Sequence, residues 1–117
     1  MAPTDAGPPE APRFACTGDA ALEPEVLRAL RRVVDPELAV NIVELGLVYE
    51  VAVTKDAVRV RITMTSPACP VTEVIVDDVT HELGQALDRR VEVEVVWDPP
   101  WTHGRMSDRA RKVLDFE

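Results

Sequence analysis

The chain has 117 residues, 46% hydrophobic and 29% charged, the length and balance of one ordinary globular domain. Its formal charge of −8, from 21 acidic against 13 basic residues, argues against binding nucleic acid through the phosphate backbone. No apolar run reaches the length of a membrane span, and the N-terminus lacks the basic and apolar segments of a signal peptide. Two cysteines, Cys16 and Cys69, make no disulfide framework, so a reducing cytoplasm is the expected compartment.

Residues 1–20 are rich in proline and small residues and read as a mobile tail, with Cys16 an incidental exposed thiol and the folded domain spanning 21–117. A helix is expected from Glu23 to Val34. Pro24 suits its first turn, and Val26, Leu27, Leu30, Val33 and Val34 line one face. Asp35-Pro36 stops it, because the residue before proline is pushed out of the α region. Residues 36–47 read as a packed connection containing about one helical turn. Strands follow at Val48–Thr54 and Ala57–Thr65, close enough across Lys55-Asp56 for a hairpin. In the second, Val58, Val60, Ile62 and Met64 alternate with Arg59, Arg61, Thr63 and Thr65, the period of a half-exposed strand. A helix from Val71 to Leu87, a strand from Val91 to Trp97, a Pro-rich loop and a short helix N-capped by Ser107 complete the chain. The order α-β-β-α-β-α predicts a two-layer α/β sandwich, a three-stranded sheet covered by helices on one face.

Cys69 is the most informative residue. Pro70 suits a first helical position, which puts Cys69 at the N-cap, where unpaired N–H groups and the helix dipole favour a thiolate. A thiolate is a nucleophile and a soft-metal ligand. The position also suits a small buried hydrophobe. The neighbouring hydroxyls of Thr65 and Ser66 favour the functional alternative. Asp35-Pro36-Glu37, on its residues alone, is a helix stop with solvated acids. Asp98-Pro99-Pro100-Trp101 has the make-up of a rigid corner, with Asp98 a turn former or a ligand. His81 and His103 have no partner at metal-ligand spacing, and no glycine-rich phosphate loop or nucleophile elbow is present.

The runs DPELAVNIVELGLVYEV, TMTSPACPV and VWDPPWTHGRMSDRARKVLDF resemble the SufT/PaaD-type metal–sulfur cluster assembly family, over about residues 24–117 and nearer its SufT side. The resemblance implies a non-enzymatic accessory role in iron–sulfur cluster assembly or delivery. It also implies a pocket of Asp35, Glu37, Thr65, Ser66 and Cys69. There Cys69 is the reactive thiol and transient ligand of a cluster or of iron. Asp35 and Glu37 orient neighbours or supply oxygen ligands, and Thr65 and Ser66 hydrogen-bond the thiolate. The implied partners are the assembly machinery and client apoproteins. PaaD-type members carry a cysteine-bearing C-terminal extension that does not follow Glu117 here, which ranks ring-oxygenase maturation lower. Some related domains are fused to a P-loop ATPase, so energy for transfer is expected from a partner.

One cysteine cannot hold a cluster alone, since iron–sulfur clusters usually take four thiolates. A homodimer interface, ligation shared with a client, and action on partner thiols are the routes left open, with shared ligation preferred. The alternative is a scaffold that binds no metal and docks partners through Asp98, Pro99, Pro100 and Trp101 with the C-terminal helix. A thiol-dependent enzyme ranks last, because no general base is placed near Cys69.

Overall fold

The computed structural model describes residues 14–65 and 69–114, with the side chains of Ala20, Cys69, Pro70 and His103 outside that description. In chain order the elements are β1 (Ala15–Gly18), a 3-10 turn (Ala20–Leu22), α1 (Glu23–Leu30), β2 (Val34–Asp35), β3 (Val40–Asn41) and α2 (Ile42–Leu45). Then come β4 (Val48–Val53), β5 (Ala57–Ile62), α3 (Cys69–Leu87), β6 (Arg90–Val95), a second 3-10 turn (His103–Arg105) and α4 (Asp108–Val113).

The main sheet has the order β1-β4-β5-β6. Its centre is the antiparallel β4–β5 hairpin, closed where Thr54 Oγ1 accepts the Ala57 N–H at 3.1 Å and donates to the Ala57 carbonyl at 3.0 Å. β6 returns parallel to β5 after α3, as a strand–helix–strand crossover requires. Register slips by one residue between Val48 and Glu50, so Tyr49 is the extra residue of a bulge that bends β4.

The two faces of the sheet differ in chemistry because the strands alternate. Val51, Val53, Val58, Val60 and Ile62 join Val26, Leu30, Ile75, Val79 and Leu83 in one core beneath α1 and α3. On the opposite face Arg59 pairs with Glu92 at 3.1 Å, and Arg61 with Glu94 at 3.2 Å and Glu50 at 3.4 Å. These exposed pairs keep the bare face soluble and add little stability. The structure is therefore the expected two-layer α/β arrangement.

Four expectations are corrected. The sheet has four strands, because Ala15–Gly18 pairs parallel with β4 inside the stretch read as tail; residues 1–13 lie outside the described residues. Cys16 accordingly packs partly buried against the core and is not an exposed tail thiol. Helix α1 ends at Leu30, and Val34–Asp35 pairs with Val40–Asn41 as a small antiparallel ladder. The last two strands stop at Ile62 and Val95, short of Thr65 and Trp97. The one-turn helix expected within residues 36–47 is α2, where Asn41 Oδ1 accepts the Glu44 N–H at 2.9 Å and Gly46 ends the turn at φ 75°. Ser107 caps α4 as expected, its Oγ accepting the Ala110 N–H at 3.0 Å. No described helix is long and apolar enough to cross a membrane.

Candidate functional site

Cys69 is the first residue of α3 and Pro70 the second, within one residue of the N-cap assignment from sequence. The helix runs 19 residues and carries no basic residue in its last turn. Its first turn is the positive end of the helix dipole, and Cys69 stands there. Ser66 and the surroundings of the Cys69 sulfur lie outside the described residues. Thr65 is half-buried. Two residues before it, the Thr63 N–H donates to the Leu47 carbonyl at 2.8 Å, tying the end of β5 to the start of β4. Thr63 is 1% exposed, and among the described residues its Oγ1 has no hydrogen-bond partner.

Asp35 is 1% exposed, and its carboxylate is engaged by backbone. Its Oδ1 accepts the N–H of Glu37 at 2.8 Å and of Leu38 at 3.2 Å, while its carbonyl accepts the Ala39 N–H at 2.7 Å. Proline at 36 and the positive φ of 59° at Ala39 complete a tight turn. The acid therefore builds the β2–β3 turn, and β2 rests against α3. Glu37 lies exposed on the same turn. The structure thus brings the strand that ends at Asp35 against α3.

The second proline-rich stretch is fastened to the open end of the hairpin, at the start of β4 and beside the end of β5. Asp98, Pro99 and Pro100 are exposed, and the Asp98–Pro99 bond is cis. Trp101 turns inward, its indole N–H donating to the Leu45 carbonyl at 2.7 Å. Tyr49 donates its hydroxyl to the Pro99 carbonyl at 2.7 Å. Arg105 lies 4.2 Å over the Tyr49 ring and donates to the carbonyls of Gly46 at 2.9 Å and Val48 at 3.3 Å. Sequence reasoning missed Tyr49 and Arg105, whose only signal was membership in the aromatic and basic counts. Trp97 is the exposed aromatic of this corner, at 51%.

Among the described residues no group of three or more His, Cys, Asp or Glu is placed to hold a metal ion. Cys16 is poorly suited to ligation. Burial raises its thiol pKa above the usual value, and the charge of Glu23 raises it further. Of the two thiols, Cys69 has the position that favours an anion.

The fold and this site define a small α/β domain with one cysteine as the first residue of its long helix. Residues 23–95 match the family described as iron-sulfur cluster assembly protein, and the chain belongs to that family. It is 42% identical over 99 residues to the Fe-S protein maturation auxiliary factor YitW of Bacillus subtilis (strain 168), covering 83% of this chain and 97% of that protein. It is 44% identical over 84 residues to the Fe-S protein maturation auxiliary factor SufT of Staphylococcus aureus (strain USA300), covering 70% of this chain and 96% of that protein. Its fold superposes with a TM-score of 0.76 on the crystal structure of a domain of unknown function, DUF59, from Bacillus anthracis. That match is 41% identical and covers 83% of this chain and 94% of the other.

Proposed function

We propose that this protein is an accessory factor in iron–sulfur cluster assembly or delivery to client proteins, with Cys69 as a transient ligand and no catalysed reaction of its own. The observation that carries the reading is the placement of Cys69 as the first residue of α3 in a chain whose family is named for cluster assembly. A helix N-terminus stabilises negative charge and so favours the thiolate, the form that binds iron. One thiolate holds a cluster weakly, and a carrier must release what it holds. The remaining ligands come from the assembly machinery on loading and from the client apoprotein on delivery. The turn built by Asp35 sets the wall that a client meets beside α3, and Thr65 with Ser66 supplies hydroxyls on the approach to Cys69. The work takes place in the cytoplasm, where thiols stay reduced.

The cellular test replaces Cys69 with serine at normal protein level and measures the activity of iron–sulfur enzymes. The reading expects those activities to fall. Unchanged activities remove Cys69 from the mechanism.

A scaffold that docks partners through the corner of Asp98, Pro99, Pro100 and Trp101 is the second reading. It is supported by the exposure of Trp97 and of residues 98–100. In that case Cys69→Ser is silent and Trp97→Ala is not.

A further inference from the structure

The bare face of the main sheet carries two rows of charged side chains, and one row is incomplete. Across the strands, register sets Glu50, Arg61 and Glu94 side by side in the first row. Two residues nearer the hairpin turn, it sets Ala52, Arg59 and Glu92 side by side in the second. In the first row Arg61 is used from both sides. Its Nε donates to Glu94 at 3.2 Å and its Nη1 to Glu50 at 3.4 Å. In the second row Arg59 repeats the first contact, its Nε donating to Glu92 at 3.1 Å. Where the second acid would stand there is the methyl of Ala52. Among the described residues the Nη groups of Arg59 donate no hydrogen bond, and its side chain is 73% exposed. Glu92 gives its other oxygen to Arg90 at 3.1 Å, so this row holds two guanidinium groups against one carboxylate. The first row holds two carboxylates against one guanidinium. A cavity of about 520 Å³ lies over both rows, and its lining includes Glu50, Ala52, Arg59, Arg61, Glu92 and Glu94.

We infer that this face docks an extended segment of a protein partner that carries an acidic residue and, two residues along, a basic one. The acid lies over Ala52 against the Nη groups of Arg59, in the place that Glu50 takes beside Arg61. The methyl at 52 leaves room for it. The base lies against Glu50 and Glu94, whose Oε2 atoms accept no hydrogen bond among the described residues. Excess positive charge in one row and excess negative charge in the next select this order of charges and oppose its reverse. Spacing selects the form of the segment. The rows stand two residues apart, roughly 6.6 Å along the strands, and side chains two residues apart share one face of an extended chain. An exposed ion pair is worth about fivefold in affinity at most, which cannot hold a free carboxylate from solution. The acid therefore arrives on a protein, whose further contacts supply the rest. Helices α1 and α3 cover the opposite face of the sheet, so the inference does not rest on the ligand role of Cys69.

Titration of the isotope-labelled full chain with synthetic peptides, followed by NMR at low salt where exposed charges are least screened, tests it. The probe is a capped, threonine-rich peptide with one aspartate and, two residues on, one lysine. The comparison peptide has asparagine in place of the aspartate. The expected result is a saturable shift of the amides of residues 50–52, 59–61 and 92–94, with the asparagine peptide binding about fivefold more weakly. Ala52→Glu supplies the missing acid from within the chain and is expected to abolish the preference for aspartate. Arg59→Gln keeps a polar exposed side chain without the charge and is expected to abolish the same preference, which decides the matter should Ala52→Glu fail to fold. Equal affinity of the wild-type chain for the two peptides overturns the inference. So does a preference that persists in either folded variant, a shift that maps elsewhere, or no saturable shift at millimolar peptide.

Discussion

Ser107 and Glu44 are joined twice. The Ser107 hydroxyl donates to Glu44 Oε1, and the Ser107 N–H donates to the Glu44 carbonyl at 2.8 Å. Arg31 stands 3.7 Å from the other carboxylate oxygen, so α1, α2 and the start of α4 meet at one buried acid. The same hydroxyl caps α4. This one serine holds the C-terminal segment to the connection that precedes the hairpin.

Ser107→Ala removes a helix cap and leaves a buried carboxylate short of a donor. A loss of about 2 kcal/mol of stability is expected. Urea unfolding followed by circular dichroism measures it, and a loss under about 0.5 kcal/mol would mean that Arg31 and water satisfy Glu44 without the serine.

Asp35 distinguishes a turn builder from a ligand. Asp35→Ala loses two backbone hydrogen bonds at a buried position and is expected to cost about 1–3 kcal/mol. Asp35→Asn keeps an acceptor at Oδ1 and should retain most of that stability. If cluster delivery survives in Asp35→Asn, the carboxylate acts through the turn. If delivery is lost in a chain of normal stability, the charge itself is needed.

Cys16 should titrate above an ordinary thiol. Burial and Glu23 hold the Cys16 pKa above the ordinary thiol value, so the folded chain favours the protonated form. The stability linked to that preference is complete below the unfolded thiol pKa and is lost as pH rises through the folded value. In a Cys69→Ser background, the pH midpoint of Cys16 alkylation is expected above that of free cysteine. A midpoint at or below the free value contradicts the burial described for β1.

Much of this was legible in the sequence, because long elements write their period into it. The stripe of Ile75, Val79, Leu83 and Leu87 marked α3, and alternation marked β5 and β6. Ser107 and Pro70 marked helix starts through local chemistry. What escaped was either short or distant. β1 is four residues in a proline-rich stretch and becomes a strand only because β4 offers an edge. The bonds from Arg105 to Gly46 and from Trp101 to Leu45 join residues 59 and 56 apart, a separation no local pattern encodes. Asp35 was visible as a candidate. Its engagement by the N–H groups of Glu37 and Leu38 is visible only in three dimensions.

Anaerobic reconstitution with iron and sulfide tests the ligand role of Cys69 most directly, on the wild-type chain, Cys69→Ser and Cys16→Ser. The account predicts a visible absorption band in the wild type and in Cys16→Ser that is absent from Cys69→Ser. Equal bands in all three chains, or none in any of them with a client apoprotein present, would contradict it.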